Sequence, residues 1–360
     1  MPEPGAFDPA KPLAAAHTIP STWYRDPGLY ERERETVFAG TWQMVGLREA
    51  VASPGSYLTA DVAGEPVVVV RDGEGELRAF FNVCRHRAAL LLTEPCGQAS
   101  RVRCRYHGWT YDLAGRLRGT PDFEGVEDFA KEDNGLVPVH VALWGPWVWV
   151  HLTAPERSLE EHLAPLPRWA AGRGIDALRY AGRREYELAC NWKVFVDNYL
   201  DGGYHVNTVH PGLAGALDYS GYRTEVYETT NVQLSPLRPP EGGADATRRV
   251  RTGTEAAYWW VFPNLMINIY EGVMDTNLVL PLGPERCRVI FDFFFAESLG
   301  EDFRNQSMEV AHQIQLEDLT ICEEVQRGLR SRSYSTGRFS VKREAGAYHF
   351  HQLLARKLAG

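Results

Sequence analysis

Cys84-Arg85-His86 and Cys104-Arg105-Tyr106-His107 form two short half-sites separated by the seventeen residues 87–103, and each offers one thiolate and one imidazole. This is what a [2Fe-2S] cluster needs when two cysteines hold one iron and two histidines the other. Imidazole is neutral where thiolate is anionic, so the His-ligated iron accepts an electron more readily and the potential lies above that of an all-Cys cluster. Such a group relays single electrons. A Cys2His2 zinc site uses the same donors, but zinc fingers usually set their cysteines about two to four residues apart and keep the histidines together. Here each cysteine has its own histidine, and Gly108-Trp109 follows the second.

A second group of donors runs through Asp197, Asn198, Asp201, His205 and His210. At about 3.6 residues per turn, histidines five apart point about 140° from each other, so an unbroken helix cannot aim both at one metal. The sequence supplies the break, because Gly202-Gly203 weakens a helix and Pro211 interrupts whatever follows. Two histidines and one carboxylate make the facial triad that holds Fe(II) with open positions for oxygen. The carboxylate must come from elsewhere. Ala311, Ile314, Asp318, Cys322, Val325 and Leu329 recur at spacings of three or four, which places Asp318 inside an apolar stripe. A carboxylate there is costly unless paired or metal-bound, so Asp318 is the expected third ligand, with Glu317 and Asp302 as alternatives.

The elements that position these groups can be read around them. Residues 1–20 are Pro- and Ala-rich, a loosely ordered lead-in, and Asp26-Pro27 opens a charged helix reaching Phe38. From Thr41 to Leu152 the pattern is that of strands, with hairpins at Asp72-Gly73-Glu74-Gly75 and around Trp144-Gly145-Pro146, and a turn at Tyr111 to Gly115. A Pro- and charge-rich connection runs from Ala154 to about Arg173. Residues 186–201 read as an amphipathic helix with Trp192, Phe195, Val196, Tyr199 and Leu200 on one stripe. Strands return over 256–296, and a long helix spans about Glu301 to Leu329. The expected division is a lead-in and helix over 1–40 that packs on the catalytic domain, a cluster domain over 41–153 and a catalytic α+β domain over 154–360.

A chain of 360 residues with 44% hydrophobic and 24% charged residues is an ordinary globular protein large enough for two domains. Its net charge of −9 and lack of a basic stripe speak against nucleic acid or an anionic membrane as partner. The six cysteines are scattered, which argues for a reducing compartment and against structural disulfides. The first residues lack the pattern of a signal peptide and no run approaches about 18 apolar residues, so the expected location is the cytoplasm.

On these motifs the chain resembles the catalytic (alpha) subunits of the Rieske non-haem iron oxygenases. From about Ser21 to His351 it is most similar, within that family, to choline monooxygenases. The resemblance is carried by Cys84-Arg85-His86-Arg87, Cys104 to Trp109, the stretch from Asn191 to Asp201, Glu317-Asp318, Cys322-Glu323, Val325 to Leu329, and Tyr348-His349-Phe350-His351. It implies an all-β N-terminal Rieske domain beside a helix-grip (START-like) α+β domain, one [2Fe-2S] cluster on Cys84, His86, Cys104 and His107, and one mononuclear Fe(II) on His205, His210 and Asp318. It also implies a head-to-tail homotrimer in which the cluster of one subunit serves the iron of its neighbour, and it places Asp201 and Asn198 among the catalytic residues. In the family an acid three positions before the first iron histidine usually bridges the two centres. Here that position is Gly202, and the nearest acid, Asp201, either bridges or simply ends a helix. Arg105 stands where a proline often follows the second cysteine, and Ala88 where glycine is common.

The activity implied is hydroxylation of a small substrate with O2 and electrons from a separate ferredoxin or NAD(P)H-dependent reductase, since no flavin or NAD fingerprint is present. The similarity points to choline or another N-methylated amine. Such a cation is held by aromatic faces, for which Tyr258, Trp259, Trp260 and Tyr270 are candidates, although aromatics at strand positions more often build core. The alternatives are an aromatic-ring hydroxylase or demethylase with the same iron chemistry, or an electron carrier without the second iron.

Overall fold

Val67 to Val70 are buried on both faces, as a central strand requires, and the computed structural model sets them in a seven-stranded antiparallel sheet. It describes residues 7–238 and 246–359. The first half of the chain supplies β1 (Gln43–Leu47), β2 (Ser56–Val62), β3 (Glu65–Arg71), β4 (Leu77–Phe81), β5 (Cys96–Gln98), β6 (Val102–Arg103), β7 (Thr110–Tyr111), β8 (Leu117–Gly119), β9 (Pro138–Trp144) and β10 (Trp147–His151). They form sheets in the order β1-β10-β9-β4-β3-β2-β5 and β6-β7-β8. The expected hairpins form where the turn chemistry places them. Asp72 accepts from the backbone N–H groups of Glu74 and Glu76 and pairs with Arg78 at 2.6 Å. Asp112 repeats the device with Ala114, Arg116 and Arg118 in the β7–β8 turn.

These strands belong to a compact unit of residues 38–159. Its edges differ from the expected 41–153 by a few residues, because the connection after Thr153 stays with it: Trp42 Nε1 donates to the carbonyl of Arg157. The rest of the connection is not structureless, since it holds the short helices α2 (Leu159–Leu163) and α3 (Leu166–Ala170).

The second unit joins the chain up to Val37 to everything from Glu160 onward. Helix α1 (Pro27–Arg32) starts as expected, with Asp26 accepting from Gly28 and Leu29 N–H, and continues as a π-helical turn to Phe38. Residues 1–6 lie outside the described part, but from Phe7 on the lead-in is ordered, contrary to expectation. Phe7 packs on Trp23, Tyr348 and His351, and Ile19 is fully buried. Seven strands follow: β11 (Arg179–Leu188), β12 (Arg223–Val226), β13 (Thr230–Pro236), β14 (Glu255–Val261), β15 (Leu265–Tyr270), β16 (Val273–Gly283) and β17 (Arg286–Phe295), in the order β11-β17-β16-β15-β14-β13-β12. Against this sheet lie α4 (Trp192–Tyr199), the long α8 (Glu301–Gly328) and the terminal α9 (Ala345–Ala359), while α5 (Val206–Val209), α6 (Pro211–Ala216) and α7 (Ala246–Val250) are short.

The helix expected over 186–201 is thus α4 alone. Asn191 caps it at Trp192, accepting from Lys193 N–H, and residues 186–188 belong to β11, where Tyr186 to Leu188 pair with β17. All six cysteines are free, and among the described residues no helix is long and apolar enough to cross a membrane.

Candidate active site

The two Cys-His half-sites are two copies of one loop. Cys84 N–H donates to the Ala89 carbonyl and Ala88 N–H returns to Cys84; Cys104 N–H donates to Trp109 and Gly108 N–H returns to Cys104. The fourth residue after each cysteine has positive φ, +57° at Ala88 and +76° at Gly108. This is why glycine suits the position and why Ala88 costs about 1 kcal/mol there. Both thiols are buried, and the rings of His86 and His107 meet edge-on with centroids 4.7 Å apart. His86 stacks on Trp109, Tyr106 stacks on His107, and the Tyr111 hydroxyl lies 3.5 Å from Cys84 Sγ.

The donor set fits the cluster on its own evidence. His86 Nδ1 is buried with no hydrogen-bond partner, a costly arrangement for a polar atom unless it binds something. Burial, with the charges of His107 and Arg87 beside it, holds this imidazole below the usual histidine range, in the neutral form a metal ligand needs.

In the second unit α4 ends at Tyr199, and Gly202 and Gly203, both at positive φ, swing the chain into α5 so that His205 and His210 come together. A side chain at Gly202 would strike the backbone of Arg343, so only glycine permits the turn. His205, His210 and Asp318 each present one donor atom, all within 4.8 Å of one another. Asp318 Oδ1 lies 3.1 Å from His210 Nε2 and 3.9 Å from His205 Nε2. The opposite ring nitrogens are held by other acids, His205 Nδ1 by Asp201 at 2.6 Å and His210 Nδ1 by Glu317 at 2.7 Å. A carboxylate on Nδ1 fixes the tautomer and aims Nε2 at a metal, the arrangement usual behind metal-binding histidines. Asn198 Nδ2 donates to Asp318 Oδ1 at 2.6 Å and orients the third carboxylate. Burial disfavours charge on His210, yet Asp318 and then Glu317 outweigh it and raise its pKa. Glu317 therefore stands behind a histidine rather than beside the metal position, and Asp302 lies exposed in the first turn of α8.

Residues 175–360 match the family described as "Ring hydroxylating alpha subunit (catalytic domain)", and residues 41–130 match the "Rieske [2Fe-2S] domain". The chain belongs to the Rieske non-haem iron oxygenase alpha subunits. It is 42% identical to the chloroplastic choline monooxygenase of Arabidopsis thaliana over 98% of this chain and 85% of that one. It is 31% identical to the carnitine monooxygenase oxygenase subunit of Escherichia coli strain K12, over 95% and 94%. A solved quaternary ammonium Rieske monooxygenase, described as giving insight into carnitine oxidation and inter-subunit electron transfer, superposes with a TM-score of 0.85 at 29% identity, covering 96% of both chains. The cofactors of this Rieske oxygenase are accordingly one [2Fe-2S] cluster and one mononuclear iron.

Beside the histidine pair, the Rieske oxygenase has a cavity of about 100 Å³, lined by α4, α8 and one face of the sheet. Register builds its far wall. Gln233, Tyr258, Asn268 and Asp275 lie directly opposite one another across β13, β14, β15 and β16 and form a polar row across the sheet. Asn268 donates to Asp275 at 2.7 Å and accepts from the Tyr199 hydroxyl at 2.8 Å. Burial raises the Asp275 pKa against the opposing pull of Arg251 and Asn268.

Of the expected cage residues, Tyr258 and Tyr270 line this cavity and hydrogen-bond each other at 2.9 Å. Trp260 does not. It packs on Phe262, His349 and Phe350 as core, with Nε1 bonded to the Pro263 carbonyl. Trp259 faces the other side of the sheet, against Trp169 and Tyr227. Aromaticity at strand positions did not reveal which of the four faced the cavity. Arg251, Gln233, Asp275 and Asn277 escaped notice, and the signal available for the last two was a polar residue interrupting an apolar strand.

Asp201, besides holding His205, lines a second cavity of about 220 Å³ together with Asp197, Glu344, Tyr24 and His351. There Asp197 accepts from Tyr24 at 2.5 Å and from His351 Nε2 at 2.8 Å, while His351 Nδ1 accepts from Ile19 N–H. Burial, with Asp201 and Asp197 nearby, raises the pKa of Glu344.

Proposed function

We propose that this chain oxidises a small N-methylated amine, with choline and carnitine as the types its relatives suggest, at an iron held by His205, His210 and Asp318. The observation that carries this is the convergence of the three donors with both Nδ1 atoms tied back to Asp201 and Glu317, on the wall of a cavity whose largely apolar lining is interrupted by a few polar groups. In the overall reaction a substrate C–H bond becomes C–OH, two electrons and two protons are consumed with O2, and the second oxygen atom leaves as water. Bound at this triad, ferrous iron supplies the open positions where O2 is reduced.

The protein's part is positioning. Asp201 and Glu317 hold the Nδ1 protons, Asn198 holds Asp318, and the helices with the sheet hold the substrate's reacting carbon in the cavity beside the histidine pair. Cys84, His86, Cys104 and His107 would hold the cluster that supplies single electrons, with a ferredoxin or an NAD(P)H-dependent reductase as their source. The acidic cavity beside Asp201 is where we place the approach of a neighbouring copy's cluster in a homotrimer, because Asp201 touches both that cavity and His205. Ring hydroxylation of an arene is the weaker reading, since Arg251, Asp275 and Asn277 would all face an apolar ligand.

Substrate-dependent oxygen uptake decides between the two. With both iron sites filled and a reducing ferredoxin system, choline or L-carnitine should stimulate uptake and yield a product one oxygen richer, or its breakdown products, by mass spectrometry. Uptake with small aromatic acids alone, or with neither class, rejects the proposal. Asp201→Asn should keep its iron and a reducible cluster yet lose about 10–100-fold in coupled turnover, as expected for a group behind a ligand. Unchanged turnover would remove Asp201 from the electron route.

A further inference from the structure

Arg251 follows helix α7 and lines the same cavity as His205, His210 and Asp318, and it is the one guanidinium or ammonium group among the described lining residues. Its Nε is shielded from solvent with no hydrogen-bond partner, and the described residues give its guanidinium no ion pair. Asp275 is close enough to act on its charge but makes no salt bridge with it, and spends its hydrogen bond on Asn268. Other cavity donors share this condition: Asn277 Nδ2 and Gln315 Nε2 are buried and unpartnered. Buried donors left without acceptors are rare in a finished structure, and a wall holding several of them is shaped for something that brings acceptors.

The guanidinium also lies over the Tyr270 ring, 4.6 Å from its centroid. That ring face is therefore taken by the protein's own cation and is not free for a ligand's ammonium group. A ligand carrying only a positive charge would bring a second cation beside a guanidinium that no salt bridge engages. A carboxylate satisfies Arg251 with the planar, charge-assisted pairing that guanidinium favours.

Resting on the function proposed above, we infer that the substrate is a zwitterion, an N-methylated amine bearing a carboxylate, and that Arg251 binds the carboxylate and excludes choline. Tyr258, Tyr222 and the Asp275 side of the wall remain for the ammonium end.

The test compares kcat/KM for γ-butyrobetaine, L-carnitine and choline in the iron-replete enzyme, alongside equilibrium binding of 3,3-dimethylbutanoate, a carboxylate with no cationic group. The wild type should prefer the carboxylated amines over choline by at least about 100-fold, and Arg251→Met should collapse that ratio by about the same factor, because a buried donor would no longer be left unpaired by choline. Arg251→Lys, which keeps the charge but loses the fork, should fall between. The isostere should bind the wild type and lose at least about tenfold in affinity in Arg251→Met. Choline turned over as well as the carboxylated amines by the wild type overturns the inference without touching the oxygenase reading, and needs no variant. If no N-methylated amine is turned over, the function proposed above fails, and the isostere then decides alone: binding that depends on Arg251 supports a carboxylate site, and no such dependence rejects it.

Discussion

Asp318→Ala should leave the cluster's visible absorption intact and remove the mononuclear iron, so that iron per chain falls from about three to about two, with substrate-dependent oxygen uptake lower by a thousandfold or more, on the order expected when one member of a catalytic set is deleted. The reason is geometric. Asp318 Oδ1 is the acceptor shared by His210 Nε2 and Asn198, and it faces His205 Nε2 as well. Without it two imidazoles remain, too few to fix the metal or to leave its open positions on one side. Glu317→Gln should act more gently, because it loosens His210 from behind and leaves all three donors in place; about 10–100-fold in iron affinity is the range for such partners. Asp302→Ala serves as the control, since that acid is exposed in the first turn of α8 and should change neither quantity. Full third-iron occupancy and full turnover in Asp318→Ala would sink the assignment, and full loss in Asp302→Ala would redirect it.

The cluster half-sites and the histidine pair could be read from the chain because each is local. Cys84 and His86 are two residues apart, Cys104 and His107 three, and a loop of that length closes on itself whatever the surrounding fold does. Asp318 was legible for a related reason: a carboxylate in a helical apolar stripe announces itself at i, i+4 spacing. Gly202-Gly203 marked the bend that brings His205 and His210 together, and both glycines adopt the positive φ which that bend demands.

What stayed hidden depends on register. Gln233, Asn268 and Asp275 sit on three different strands, and nothing in any one strand says that they meet; they meet because β13 to β16 pair in one alignment. A slip of one residue would turn that face to the other side. The same blindness misled the reading of Trp259 and Trp260, neighbours on β14 that point to opposite sides, neither into the cavity. Strand β11 was missed because Arg179 to Glu187 is an exposed edge rich in charge, and its last residues happen to continue the helical spacing of α4. Pairing with β17 overrides that local pattern.

Lys193→Met should be the most destabilising substitution outside the metal sites. The helix that carries Asp197 and Asn198 is fastened at its start by an ion pair with no exposure to solvent: Lys193 Nζ lies 2.6 Å from Glu33 Oε1, and Glu33 Oε2 accepts from Trp192 Nε1 at 2.8 Å. Burial lowers the pKa of Lys193, and the Glu33 carboxylate opposes the change. Such a pair is worth little against an apolar replacement of both members, but breaking it strands one charge in the interior at about 3–5 kcal/mol. At roughly 2–4 °C per kcal/mol for a domain of this size, Tm should fall by on the order of ten degrees. Lys193→Met combined with Glu33→Leu should recover much of the loss, since no charge is then left unpaired, although Trp192 Nε1 loses its acceptor. The double variant separates a structural fastening from a catalytic one. If the pair only anchors α4, the recovered protein regains iron and turnover together, because Asn198 again reaches Asp318. A single variant within about 1 kcal/mol of wild type would show that the ion pair does not carry the load, and that apolar packing of Trp192 against Phe350 holds the helix instead.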